Sequence, residues 1–202
     1  MLTAREGLFA LVLFLFAPAA MADLEALKAE CDSCHGPMGV SAHPDVPTIA
    51  GQTPEFLAKT LRGFGYWDRP CVKNAYRSGP KAGTRTDMCK IASALGDEDI
   101  SALSAWYAEQ TFVPAEQEFD AALAAAGEPV HAEFCERCHE QGGTVAGTAP
   151  RIAGQWTVYL QSAIRYIPTG ERMCPPLMER KVTDLSTEQI TQLLNYYASH
   201  RE

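Results

Sequence analysis

Basic residues are scarce in this chain of 202 residues. Its 17 lysines and arginines stand against 25 aspartates and glutamates, which gives a formal net charge of -8. A negative chain is repelled by phosphate backbones, so the composition excludes nucleic acid as a partner. Charged residues make up 21% and hydrophobic residues 47% of the chain, so it also lacks the composition typical of disorder. We therefore expect a folded protein of one large or two small domains.

Long apolar runs are also missing, apart from one near the N-terminus. Residues 8–16 are all apolar, but this run is much shorter than the roughly 20 residues of a membrane-spanning helix. A basic residue precedes the run, and Ala20 and Ala22 supply the small side chains of a cleavage site. This pattern predicts a signal peptide over residues 1–22, with an uncleaved anchor as the alternative. We expect the mature chain to work in the periplasm, without a membrane span.

No alternating strand pattern of useful length occurs, but the chain repeats itself. The pentad Cys31–His35 recurs as Cys135–His139, at an offset of 104 residues. A second block, Pro47–Gln52, recurs as Pro150–Gln155 at an offset of 103 residues. Two offsets that are so nearly equal indicate a duplication.

The duplication predicts two tandem domains, residues 23–113 and 129–202, joined by a linker over residues 114–128. The alanine-rich middle of the linker predicts a short helix that ends at Gly127. Near the C-terminus, a capping-box pattern precedes an amphipathic stretch and predicts a helix over about residues 187–200. Because glycine and proline cluster between the helical patterns, we expect a mostly α fold with long loops.

The pattern Cys-x-x-Cys-His carries the chemistry, and it occurs twice. Two thiols three positions apart lie on one face of a helical turn and can bond the two vinyl groups of a haem, while the adjacent histidine faces the iron. A zinc site would need a second ligand pair roughly 12–20 residues on, and none follows. A thioredoxin-like dithiol would need a strand before the motif, whereas both preceding segments have helical patterns. The pattern therefore predicts two covalently bound haem c groups, with thioether bonds and iron ligands from Cys31, Cys34, His35, Cys135, Cys138 and His139.

Each iron needs a second ligand on its other face. Methionine sulfur suits an electron carrier, because it favours ferrous iron. Met88 and Met178 each begin a repeated pattern in a loop just before the closing helix of their half, so we predict that these two residues are the second ligands. Met173 competes with Met178, whereas Met38 lies too near His35 in the chain to reach the opposite face.

These motifs make the chain resemble the two-haem class I cytochromes c of the c4 type, over essentially all of its mature length. More narrowly, segments 117–127, 131–143 and 153–161 resemble the cytochrome subunit of flavocytochrome c sulfide dehydrogenase. The resemblance implies two helical haem domains related by a pseudo-twofold axis and docked on a flavoprotein that oxidises sulfide. It implies haem-ligating roles for Cys31, Cys34, His35, Met88, Cys135, Cys138, His139 and Met178.

The first half departs from that family in a long loop over residues 64–87, which is rich in glycine, proline and basic residues. Three cysteines remain after haem attachment. In an oxidising compartment, Cys71 and Cys89 would close a loop of about eighteen residues beside Met88. Cys174 is then left as an inert thiol, a partner for another chain or a ligand. The basic residues of the loop can contribute to a docking face: Lys73, Arg77, Lys81 and Arg85.

The other aromatic and histidine side chains are expected to have structural roles. Trp106 and Tyr107 lie at helical spacing with Ile100 and Leu103, which predicts packing of a closing helix. Three histidines have no spaced partners and are expected at surface or capping positions: His43, His131 and His200.

With both axial positions filled by the protein, neither iron is open to substrate, so we expect electron transfer and no catalysis by this chain alone. The leading hypothesis is the electron-accepting subunit of an FAD-containing sulfide dehydrogenase, which passes electrons to a soluble cytochrome c. A free-standing carrier that feeds a terminal oxidase is the first alternative. A diheme dehydrogenase or peroxidase is the second, and it needs a labile or cysteine ligand such as Cys89 or Cys174.

Overall fold

A computed structural model describes residues 19–147 and 149–201, and this part of the chain is mostly helical, as predicted. The predicted signal peptide, residues 1–22, falls largely outside the described residues. Within them, no helix is long and apolar enough to cross a membrane. In chain order the elements are α1 (Ala19–His35), a 3₁₀ turn (Pro37–Gly39), α2 (Pro54–Gly65), β1 (Asn74–Ala75), β2 (Arg85–Thr86), α3 (Met88–Ala92), α4 (Asp97–Ala108), α5 (Ala121–Phe134), α6 (Glu140–Gly143), α7 (Thr157–Arg165), α8 (Pro176–Thr183) and α9 (Thr187–Ser199).

The helix that was predicted at the C-terminus is confirmed, and its start is set by local chemistry. The Ser186 hydroxyl accepts a hydrogen bond from the Gln189 amide, and the Gln189 side chain accepts one from the Ser186 amide. This capping box satisfies two amides that have no partner inside the helix. In α2 the Thr53 hydroxyl likewise accepts from the Phe56 amide, directly before a proline at the first helical position.

The prediction of a short linker helix that ends at Gly127 is wrong. Residues 111–120 have no regular secondary structure, and α5 starts at Ala121 and continues through Gly127 and Pro129. Glycine is needed here because α5 packs closely on α9: a Cβ on Gly127 would lie 2.3 Å from the Gln192 carbonyl oxygen. Tertiary packing therefore overrides the tendency of glycine to end a helix.

Each half has its own hydrophobic core, built from equivalent residues. In the first half, Leu57 of α2 packs with Leu103 and Tyr107 of α4. In the second half, the corresponding positions are Leu160, Leu193 and Tyr197, which pack together with Val130 of α5. The duplication read from the motifs thus extends into the cores.

A reciprocal set of hydrogen bonds joins the two halves. The Gln155 side chain accepts from the Thr48 amide (2.9 Å) and donates to the Thr48 carbonyl (2.8 Å). The Gln52 side chain accepts from the Arg151 amide (3.0 Å) and donates to the Arg151 carbonyl (2.9 Å). Each glutamine is equivalent to the other at the 103-residue offset, as are the two residues that they bind. The junction therefore has the pseudo-twofold relation that the resemblance implied.

The loop over residues 64–87 contains a small hairpin that the sequence pattern did not indicate. Strands β1 and β2 pair in antiparallel fashion, Asn74 with Thr86 and Ala75 with Arg85. Two residues per strand are too few to produce a visible alternation of apolar and polar side chains. The loop also reaches the second half, where the Met173 amide donates to the Asp68 carbonyl at 3.0 Å.

An unusual residue lies two positions after the end of α2. Trp67 has a φ of 64°, in the left-handed region that favours glycine, and its side chain is 70% exposed. Its amide donates to the Phe64 carbonyl at 3.2 Å. The second half repeats this turn with a glycine: Gly170 has a φ of 73°, and its amide donates to the Ile167 carbonyl at 3.0 Å. The first half therefore carries strain that its duplicate avoids.

Replacing Trp67 with glycine should stabilise the protein. Relief of the left-handed strain exceeds the extra backbone entropy of glycine in the unfolded chain, so we expect a gain of about 0.5–1 kcal/mol in the free energy of unfolding. Chemical denaturation measures the difference. Trp67→Ala is the matched control, because it also removes the ring but keeps the Cβ and hence the strain. Equal stabilities of the two variants would contradict the prediction.

Candidate functional site

The first Cys-x-x-Cys-His motif lies in the last turn of α1, which ends at His35. The His35 ring is buried, and its Nδ1 lies 2.8 Å from the Pro47 carbonyl oxygen. Burial lowers the pKa of His35, so the ring is neutral. A carbonyl can only accept, so Nδ1 carries the proton and Nε2 has the free lone pair that a metal needs.

The second motif has the same arrangement, although α5 ends one residue before it. His139 is buried, and its Nδ1 lies 2.9 Å from the Pro150 carbonyl oxygen. The His139 amide donates to the Cys135 carbonyl at 3.0 Å, so one helical turn continues through the motif. Burial also lowers the pKa of His139. The repeat of these prolines is visible in the sequence, whereas their role as hydrogen-bond acceptors for the histidines is not.

In each half, a glycine after the motif holds the segment that contains the proline, and this places the proline carbonyl beside the histidine. The Gly39 carbonyl accepts from the amides of Ile49 and Ala50, and Gly39 has a φ of 77°. At the equivalent position, Gly143 accepts from two amides in the same way and has a φ of 83°. A Cβ on Gly39 would lie 2.8 Å from side-chain atoms of Ile49 and Tyr107. Both the conformation and the space therefore require glycine.

The motif residues fit covalent haem attachment. All four motif thiols are free, in a chain that does form a disulfide elsewhere. Among residues 24–147 and 149–201, neither His35 nor His139 has a hydrogen-bond partner at Nε2. Two free thiols beside a neutral, oriented imidazole are the donor set of a c-type haem site. The ligand roles themselves stay a prediction.

A buried tyrosine from the closing helix of each half braces the motif. The Tyr107 hydroxyl donates to the Asp32 carboxylate at 2.7 Å, and the Tyr197 hydroxyl lies 2.9 Å from His131 Nδ1. Burial raises the pKa of both tyrosines, so the hydroxyls stay protonated. The repeated Tyr-Ala pair marks these residues in the sequence, but only packing was expected of them.

His131 contradicts the expectation of a surface or capping role, since it is only 2% exposed. Its Nε2 lies 2.8 Å from the Glu136 carboxylate and 3.1 Å from the His139 carbonyl. Both partners can only accept, so the N–H group at Nε2 donates a hydrogen bond to each of them. His131 thus links α9, through Tyr197, to the second motif. A single histidine without a spaced partner gives no sequence signal for such a link.

The predicted methionine ligands occupy helices rather than the loops in which they were expected. Met88 is the first residue of α3 and Met178 the third residue of α8, and both are half-buried. The competing Met173 is 66% exposed, and Met38 is 55% exposed. Burial thus favours Met178 over Met173, because a ligand to a buried iron must itself lie inside the protein.

Cys71 and Cys89 form the disulfide that was expected, with a Cα–Cα distance of 5.5 Å. The bond ties the loop over residues 64–87 to α3 directly beside Met88. It also removes Cys89 as a free thiolate ligand. Cys174 is free and partly buried, and burial raises the pKa of its thiol.

Three of the four basic residues that were expected to contribute to a docking face form ion pairs with acidic residues of this chain, and their docking role stays a prediction. Lys73 pairs with Asp87 at 2.6 Å, Arg77 with Asp45 at 2.5 Å, and Lys81 with Glu30 at 2.5 Å. Backbone amides add to this attachment, because those of Arg77 and Ser78 donate to the Ser33 carbonyl at 2.9 and 3.0 Å. The hairpin is therefore fastened over the first motif, between its two cysteines.

Comparisons with known proteins bear on the fold and the family of the chain. No family model matches the chain. Cytochrome c4 of Azotobacter vinelandii is 26% identical over 83% of this chain and 83% of its own length. Cytochrome c-554(548) of Halomonas halodenitrificans is 32% identical over 40% of this chain and 83% of its own length. Reduced cytochrome c4 of Pseudomonas stutzeri superposes with a TM-score of 0.68 at 24% identity, over 90% of this chain and 98% of that one. The predicted tandem fold is thus confirmed.

Two further similarities are to proteins of thiosulfate oxidation. A thiosulfate dehydrogenase electron acceptor of Stutzerimonas stutzeri is 31% identical over 39% of this chain and 32% of its own length. The thiosulfate dehydrogenase of Marichromatium purpuratum has a TM-score of 0.66 and 28% identity, over 84% of this chain and 36% of that one. This chain spans about a third of each of these proteins.

Removing the disulfide should cost stability. For the double variant Cys71→Ala/Cys89→Ala we expect a loss of about 3 kcal/mol in the free energy of unfolding, because the unfolded chain gains the entropy of an open 18-residue loop. Chemical denaturation measures it, with Cys174→Ala as the control that leaves the bond intact. A double variant as stable as this control would contradict the expectation.

Proposed function

The chain belongs to the c4-type diheme class I cytochromes c, and from that premise we propose that it carries electrons in the periplasm, away from a dehydrogenase of a reduced sulfur compound. The observation that carries the electron-transfer role is the duplicated histidine geometry. In each half a buried, neutral imidazole is held at Nδ1 by a proline carbonyl. With one haem at each of these two sites, the chain could hold two electrons.

The residues that would hold the haem groups follow from this geometry. Thioether bonds would form at the motif cysteines, and Nε2 of His35 and of His139 would bind iron. Met88 and Met178 would each supply a sulfur atom as the second protein ligand of an iron. When bound, haem c supplies one-electron redox chemistry at iron. The protein's own part is to orient the imidazoles, to keep them neutral and to exclude water from them.

If a histidine and a methionine bind each iron, no position would be left for a substrate, which favours a carrier over a catalyst. A direct dehydrogenase or peroxidase would need a labile or cysteine ligand, and the disulfide at Cys89 removes one of the two candidate thiols. Two one-electron sites suit a donor that releases an electron pair, since the pair can then be taken up one electron at a time.

The donor is proposed to be an enzyme of sulfur oxidation. The narrower resemblance in the second half supports an FAD-containing sulfide dehydrogenase, and the structural similarity to a thiosulfate dehydrogenase supports a thiosulfate-oxidising enzyme as the second candidate. In both cases a soluble cytochrome c would take the electrons onward.

Haem content is the first test. Intact-mass measurement of the protein from a periplasm that matures c-type cytochromes should show two haem masses per chain. The variant Cys31→Ala/Cys34→Ala should carry one, whereas Cys174→Ala should keep both. No bound haem, or two in the double variant, would contradict the assignment.

The donor is tested by stopped-flow reduction of the oxidised protein. We expect rapid reduction of both haems by a flavoprotein sulfide dehydrogenase with sulfide, or by a thiosulfate dehydrogenase with thiosulfate, but slow reduction by either substrate alone. Ascorbate serves as a control for reducible haem. If ascorbate reduces the protein but neither enzyme does so with its substrate, the sulfur role is overturned. The result would then favour the free-standing carrier to a terminal oxidase.

A further inference from the structure

One peptide unit in each half connects the motif histidine to the other half. The Pro47 carbonyl that accepts from His35 belongs to the same peptide unit as the Thr48 amide, and this amide donates to Gln155. In the second half, the Pro150 carbonyl accepts from His139, and the Arg151 amide of the same unit donates to Gln52. We call these units the bridging peptides 47–48 and 150–151.

Each bridging peptide is held on both sides with good geometry. The histidine contacts measure 2.8 and 2.9 Å, and the glutamine contacts to the amides measure 2.9 and 3.0 Å. Each glutamine also donates to the next carbonyl, of Thr48 or Arg151, at 2.8 and 2.9 Å. Gln52 is 4% and Gln155 is 3% exposed, so water does not compete for these bonds.

A peptide unit is planar and stiff, so fixing its N–H also fixes the direction of its C=O. Hydrogen bonds in a chain polarise one another, which makes a carbonyl a stronger acceptor when the amide of its unit donates to a good acceptor. A stronger acceptor at Nδ1 raises the basicity of the imidazole, and this tunes the metal that Nε2 binds.

We propose that Gln155 and Gln52 are positioning residues that act crosswise: each sets the redox property of the haem site in the opposite half. Gln155 acts on the site of His35, and Gln52 acts on the site of His139. The inference rests on the proposed function in one respect, namely that both histidines bind haem iron. The junction is then part of both sites and does more than join two domains.

The direction of the effect follows from the chain of bonds. Replacing Gln155 with leucine removes the acceptor for the Thr48 amide and weakens the Pro47 carbonyl as an acceptor. The His35 imidazole becomes less basic and stabilises ferric iron less, so the reduction potential of the first site rises. At a fixed solution potential, the ratio of reduced to oxidised iron at that site should increase by about threefold.

The experiment is a mediated redox titration of the diheme protein, followed by the ring-methyl NMR signals of each haem. Signals are assigned to halves with the single-haem variant Cys31→Ala/Cys34→Ala. We expect Gln155→Leu to shift the first haem and Gln52→Leu to shift the second, each with little change in the haem of its own half. Trp156→Phe is the matched control, because it removes another bond across the junction, from the indole to the Ser41 carbonyl at 2.8 Å.

A shift confined to the haem of the variant's own half, an equal shift in both haems, or no shift in either would each overturn the crosswise role. If Trp156→Phe shifts the potential of the first haem as much as Gln155→Leu does, loosening of the junction is enough to explain the shift. That result would also overturn the crosswise role. If Gln155→Leu does not fold, Gln155→Met, which keeps the side-chain length, must give the same shift in the first haem. The titration uses no protein partner, so it can fail while the donor test succeeds, and the reverse.

Discussion

The hydrogen bond from each motif histidine to a proline carbonyl is the constraint on which the rest of the structure depends. It requires the chain to turn back about a dozen residues after the motif, and a glycine with positive φ closes that return in each half. It also requires the closing helix to seal the site, and Tyr107 and Tyr197 do so while bracing the motif. Both cores are therefore arranged around the orientation of an imidazole.

The two halves differ where this constraint is absent. In the first half a tyrosine reaches a carboxylate directly, whereas in the second His131 lies between Tyr197 and Glu136. The turn after α2 carries an exposed tryptophan where the turn after α7 has glycine. The disulfide and the hairpin over the first motif have no counterpart among the described residues of the second half. The hydrogen bond from histidine to proline is thus the same in both halves, whereas the contacts around it differ.

The reciprocal glutamines limit how far the two halves can differ at their junction. Because each bridging peptide contacts a motif histidine on one side and a glutamine of the opposite half on the other, a change at either glutamine reaches the histidine of the other half. Each histidine site thus depends on a residue of the other half, without direct contact between the two imidazoles.

The sequence by itself determined the duplication, the haem-binding motifs, the mostly helical fold and the C-terminal helix. These depend on short-range chemistry: residue spacing within a turn, a capping box, and apolar periodicity. The prolines and glutamines of the site also repeat in the sequence at an offset of 103 residues, and its tyrosines repeat at an offset of 90 residues.

Only the tertiary structure decided the rest. Gly127 lies inside a helix because α9 packs against it, His131 is buried because Tyr197 and Glu136 enclose it, and three loop cations are paired because acidic residues distant in sequence face them. The crosswise bonds of Gln52 and Gln155 join residues about a hundred positions apart. Such contacts depend on how folded segments pack against one another, and local propensity contains no information about this packing.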